Sequence, residues 1–99
     1  MSSDTTTINK TKIKIKEPSE WRVVLVNDDT TPMDFVTAVL MEIFNHSLES
    51  AEEIMMLVHK SGSGIAGIYT HDIAETKATE TTNWARENEF PLVVKIEEI

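Results

Sequence analysis

Ninety-nine residues without a cysteine and with a formal net charge of −8 describe a single domain that has neither disulfides nor thiolate metal sites. Four lysines against three acids leave residues 1–20 at +1, so residues 21–99 carry −9; such a body repels nucleic-acid phosphates and suits a cationic partner or an amine, although charge of this size also serves solubility alone. No apolar leader or membrane-length run is present, so a cytoplasmic protein is expected.

Residues 1–20 are rich in Ser, Thr and Lys and read as a mobile N-terminal extension. Within them Lys12-Ile13-Lys14-Ile15-Lys16 alternates with period two, a pattern able to add to a sheet edge. The folded domain is expected at 21–99. It opens with Val23-Val24-Leu25-Val26, a run expected as a strand covered on both faces or nearly so. Asn27-Asp28-Asp29 ends the strand. Thr31 is the expected N-cap of the next helix, Pro32 suits its first turn, and Asp34 stands where a capping-box acid belongs.

The spacing of Phe35, Val36, Val39, Leu40, Ile43 and Phe44 predicts a helix over 32–45. Ser47 is a cap for a second helix over 48–60, whose stripe is Ala51, Ile54, Met55 and Val58. His59 and Lys60 end that helix, and Gly62 and Gly64 supply a loop. A short strand over 65–69 follows. Ala74, Ala78, Thr81 and Ala85 then share one face of a helix over 72–88, despite several threonines. Pro91 ends it, and 92–96 is a last strand. The order β-α-α-β-α-β implies an α+β fold, a small three-stranded antiparallel sheet with three helices packed on it.

Three chemistries fit the acidic strand end. A receiver-type phosphotransfer pocket fails on context, because the chain is too short for the longer β/α series that fold needs. A metal-dependent or hydrolytic enzyme using Asp28, Asp29 and His59 lacks a second ligand at helical spacing, a nucleophile elbow and a phosphate loop. No metal, cofactor or catalytic residue is therefore assigned. His46 and His71 read as a helix-end and a surface residue. The third chemistry is recognition of an amine. An ammonium has three N–H donors, and Asn27, Asp28 and neutral His59 offer three acceptors if strand end and helix end pack together. On residue types alone, Asn-Asp-Asp as a plain turn and His59 as a favourable charge on the helix dipole remain open.

The segment Val24-Leu25-Val26-Asn27-Asp28-Asp29-Thr30-Thr31-Pro32-Met33-Asp34-Phe35-Val36 resembles the signature of the ClpS family of adaptor proteins. Val58-His59, Gly67-Ile68-Tyr69-Thr70, Ala74-Glu75-Thr76-Lys77-Ala78, Ala85-Arg86-Glu87-Asn88 and Pro91-Leu92 continue it in the family's order, over residues 21–99. The resemblance implies an adaptor and not an enzyme. Such adaptors bind proteins beginning with Leu, Phe, Tyr or Trp and deliver them to a ClpAP-type protease. It assigns the α-amino group to Asn27, Asp28 (through water) and His59. The first side chain goes to a pocket of Thr31, Met33, Val36, Ile54, Met55, Val58 and Leu92. Docking of the unfoldase's N-terminal domain falls to Asp72, Glu75 and Lys77, and delivery involves the extension 1–20. Asp72 stands where some relatives have Glu.

Overall fold

The computed structural model describes residues 18–99. The alternating Lys12–Lys16 stretch and the remainder of the expected extension through residue 17 lie outside that range. The elements are β1 (Glu20–Val26), α1 (Met33–Glu42), α2 (Leu48–Ser61), β2 (Ser63–Thr70), α3 (His71–Glu87) and β3 (Val93–Glu98). β1 is the central strand, with β2 and β3 antiparallel on either side. The order and sheet are those the sequence implies, although β1 starts at Glu20, inside the stretch read as extension.

Central placement explains the valine run. Val23 and Leu25 are fully buried, in one core with Val36, Leu40, Val58 and Leu92. Val24, on the opposite face, is also buried, but Val26 is only half-buried. Arg22 shares that second face, with its Nε 3.4 Å from Glu97 Oε1. Ile65, Lys95 and Glu97 around it are exposed. Cover on both faces therefore holds for the middle of β1 and not for its ends.

The first helix is shorter at both ends than its stripe predicts. Pro32, not Thr31, occupies the N-cap position and makes no side-chain cap. A proline there has no N–H, so Asp34 has no capping box to complete. The Thr31 hydroxyl is engaged elsewhere, as described below. At the far end Asn45 takes a left-handed φ of 60°, a conformation asparagine tolerates better than most residues, and α1 stops. Ile43 and Phe44 still pack on or in the core from beyond the helix. The Lys77 ammonium donates to the Ile43 carbonyl at 2.8 Å, satisfying one of the acceptors a helix end leaves open.

Ser47 caps α2 as expected, accepting from the Ser50 N–H at 3.1 Å. Gly62 ends α2 with φ 95°. Gly64 lets α2 settle on β2, because a Cβ there would stand 2.9 Å from Val58 Cγ2. His46 is more than a helix-end residue. The β1–β2 register shifts between Val23 and Val24, so Ala66 has no partner across the ladder. His46 Nε2 meets the Ala66 carbonyl at 2.6 Å, and Nδ1 lies 3.0 Å from Ser50 Oγ. A carbonyl only accepts, so Nε2 carries the proton. The imidazole thus satisfies a bulge and ties β2 to α2.

The threonines of α3 are accommodated by back-bonding. Thr81 is fully buried and donates to the Lys77 carbonyl at 2.9 Å; Thr76 does the same to Asp72 at 3.0 Å. The Phe35 ring sits edge-on between Trp84 and Phe90, at 5.0 and 4.9 Å between centroids, and joins α1 to the end of α3. Among the described residues, no helix is long and apolar enough to cross a membrane.

Candidate functional site

The end of β1 and the end of α2 are joined through the backbone. The Asn27 N–H donates to the Gly62 carbonyl at 2.9 Å, and the Gly62 N–H donates to the Val58 carbonyl at 3.0 Å. Asn27 is thereby fixed to the last turn of α2, which carries His59. Both side chains are exposed, so rigid backbone holds polar groups that still reach solvent. The packing of strand end on helix end, which the amine reading requires, is present.

Asp28 builds the turn that follows. Its Oδ1 accepts from the N–H groups of Thr30 and Thr31 at 2.8 and 2.7 Å, and its Oδ2 accepts from the Thr31 hydroxyl at 2.7 Å. Partial burial pushes this carboxyl upward. The Thr31 hydroxyl, the two N–H groups and the nearby Arg86 charge outweigh burial, and the net result is a pKa below the usual aspartate value. A carboxylate has about four acceptor sites, so with three taken roughly one remains for a ligand proton or a bridging water. Asp29 is exposed. With Asp28 committed to the turn, an acid–base pair of Asp28 and His59 gains no support.

The apolar set divides by burial. Val36, Val58 and Leu92 belong to the buried core, and Ile54 and Met55 are half-buried against it. Thr31 is half-buried beside Asp28. Met33, at 39% exposure, opens α1 on the surface and is not an ordinary core methionine. Val58 and His59 are consecutive on α2, so one helix end supplies both an apolar wall and a polar acceptor.

Asp72 and Glu75 are exposed on the first turns of α3, Asp72 with 99% side-chain exposure. Lys77 does not extend this patch as a free cation. It is half-buried, bonded to the Ile43 carbonyl, with its ammonium 5.9 and 5.4 Å from the ring centroids of Phe44 and Tyr69. His71, Asp72 and Glu75 bring possible ligand atoms within 4.8 Å of one another. All three are exposed, and they stand at the positive end of a helix, which disfavours a cation. Three residues shape this region beyond what the sequence suggests: Gly62 and Gly64, which read only as loop formers, and Arg86, which stands in a signature segment without a role of its own.

A model of the family described as ATP-dependent Clp protease adaptor protein ClpS matches residues 16–95. The ATP-dependent Clp protease adapter protein ClpS of Treponema denticola is 52% identical over 86 residues, covering 87% of this chain and 85% of that protein. The protein of the same name from Desulfotalea psychrophila is 50% identical over 95 residues, covering 96% and 91%. The solved structure of Agrobacterium tumefaciens ClpS2 bound to L-phenylalaninamide is 41% identical, with a TM-score of 0.81, and covers 84% of this chain and 100% of that one. Fold and relatives together define a small α+β protease adaptor. The chain belongs to the ClpS family, whose members serve the Clp protease as adaptors and are not enzymes.

Proposed function

We propose that this adaptor binds proteins whose first residue is Leu, Phe, Tyr or Trp and hands them to a ClpA-type unfoldase in the cytoplasm. Asn27, the remaining acceptor site of Asp28, and His59 receive the ligand's α-ammonium. Thr31, Met33, Val36, Ile54, Met55, Val58 and Leu92 receive its first side chain. Asp72 and Glu75 contact the unfoldase's N-terminal domain, Lys77 shapes that surface from beneath, and the extension 1–20 acts in delivery.

The observation that carries this reading is the bond from the Asn27 N–H to Gly62, which holds two of the three acceptors on one rigid junction. The ligand of the Agrobacterium relative adds support. Phenylalaninamide has an α-amine, an aromatic side chain and a carboxamide but no second residue, so the groups of a single residue are what that relative binds. The test is a titration with a peptide beginning in Phe and with its N-acetylated form. Acetylation removes the charge and two of three donors, and should weaken binding at least about tenfold, the equivalent of one charge-assisted hydrogen bond. Equal affinity for both forms would eliminate the amine site.

A further inference from the structure

Arg86 lies in the last turn of α3, where a cation ordinarily does no more than complement the helix dipole. Its bonds go further. Nη1 donates to the Phe90 carbonyl at 2.8 Å and to the Leu92 carbonyl at 3.0 Å, both beyond its own helix. The chain between needs such a clip. The Phe90 N–H bonds to Ala85 at 2.8 Å and the Glu89 N–H to Arg86 at 2.9 Å, a Schellman ending. That ending places Glu89 at φ 61°, a conformation usually left to glycine. Pro91 then has no N–H to give. Arg86 thus bonds the carbonyls on either side of Pro91 in a crossing that ends in Leu92, which is 1% exposed.

We propose that Arg86 is a positioning residue for selection of the ligand's first side chain: it fixes the Phe90–Leu92 crossing and so sets the Leu92 wall of the pocket. The proposal rests on the reading above, in which Leu92 lines that pocket. It concerns the side-chain arm of recognition: the Arg86 bonds go to Phe90 and Leu92 and none goes to Asn27, Asp28 or His59, so its only link to the amine arm is the charge it presents to Asp28. The guanidinium charge also reaches Asp28, which supplies a spectroscopic marker of its location.

The experiment uses the full chain and three peptides that differ only at the start: Phe-first, Ala-first and N-acetylated Phe-first. Two ratios are read, Ala-first over Phe-first for side-chain selection and acetylated over free for the amine. In Arg86→Gln the first ratio should fall at least about fourfold, the equivalent of one methylene's burial, while the second does not fall, since losing a cation near Asp28 cannot weaken its hold on an ammonium. The Asp28 carboxyl signal, followed by NMR without peptide, should titrate at higher pH than in the parent. Its neighbours there are the Thr30 and Thr31 donors and the adjacent Asp29 carboxylate, all unchanged by the substitution. Arg86→Lys keeps the charge but replaces the rigid guanidinium, whose Nη1 makes both bonds, with a flexible ammonium, and should fall between parent and Arg86→Gln on the first ratio. If Arg86→Gln does not fold, Arg86→Lys decides on that ratio alone. An unchanged first ratio in the folded variant overturns the proposal, and so does a parallel loss of both ratios. A parent that fails to distinguish free from acetylated peptide refutes the amine reading instead, whatever Arg86 does.

Discussion

Asp28→Asn separates charge from geometry at the turn after β1. In the parent one carboxylate accepts three bonds, from the Thr30 N–H, the Thr31 N–H and the Thr31 hydroxyl. An asparagine in the same rotamer keeps Oδ1 for the two backbone donors and turns Nδ2 towards the hydroxyl, which can accept. The number of bonds survives and the charge does not. Hydrogen bonds to charged groups contribute about 1.5–3 kcal/mol and neutral ones about 0.5–1.5 kcal/mol. The three bonds share one carboxylate at a half-exposed turn, so the differences do not add, and a net loss of about 1–2 kcal/mol is expected. In a domain of this size that lowers Tm by roughly 5–15 °C. The loss depends on pH in a defined sense. The folded pKa of Asp28 lies below its unfolded value, so its contribution is fully present above the unfolded value of about 3.9 and disappears as pH falls through the folded one. Asparagine does not titrate. Melting curves of parent and variant should therefore differ at neutral pH, begin to approach one another below about pH 4, and meet only once the pH is below the folded pKa. Equal Tm values at neutral pH, or a gap that persists unchanged in strong acid, refute this account of the turn.

Asn27→Ala removes the exposed side chain but leaves the backbone bond to Gly62, so the melt should hold while affinity for a Phe-first peptide falls at least about tenfold; a parental dissociation constant argues against the assignment. Met33→Ala should admit peptides beginning with Ile or Val, whose Cβ branch is stiff and meets the pocket at its neck, while Leu-first peptides lose little. An unmoved ratio of dissociation constants for Leu-first and Ile-first peptides would relieve Met33 of that role. Glu75→Lys should weaken binding to a ClpA-type N-terminal domain and leave peptide affinity intact, since Glu75 is exposed on a different element. Lys77→Ala, by contrast, should lower stability by about 1–3 kcal/mol in a chemical melt, because the Ile43 carbonyl loses a charged donor; a neutral result would mean that the ammonium serves the surface only.

The residues that made the fold legible are those whose neighbours lie close in sequence. The stripe from Phe35 to Leu40 and the cap at Ser47 each follow from local spacing, and each is found where spacing puts it. The failures share a cause as well. Thr31 has the right chemistry for an N-cap, but its hydroxyl is turned back to donate to Asp28 three residues earlier, and the helix begins only at Met33. His46 could not be read because its partner, the Ala66 carbonyl, is exposed to it only by a register shift between strands far apart in sequence. Lys77 looked like a surface charge because helix position does not reveal that α1 ends beneath its side chain. Arg86 was visible inside a recognisable segment yet silent about its role, since the carbonyls it binds lie past a helix end whose geometry depends on Glu89 turning left.

The proposed amine site and the proposed pocket share one junction, and that has an energetic consequence. Gly62 can end α2 in a left-handed turn, and the same residue offers the carbonyl that receives Asn27. Gly64, two residues on, lets Val58 and Ile54 approach β2 without a Cβ between them. Val58 is thus held from below while His59, next in sequence, faces solvent. A ligand arriving there meets acceptors whose backbone is already fixed by strand, helix cap and turn. Only side-chain rotations remain to be ordered on binding, each of which costs about 0.5–1.5 kcal/mol for a rotamer-rich residue. Asn27 and His59 have short side chains with few rotamers, and Asp28 is already held by its own turn. A lysine or glutamate framework at the same positions would lose more freedom for the same contacts. A domain of this size has few kilocalories to spare, so in the proposed reading a site preformed on glycine-shaped backbone is what would let the first residue of a ligand be recognised at all.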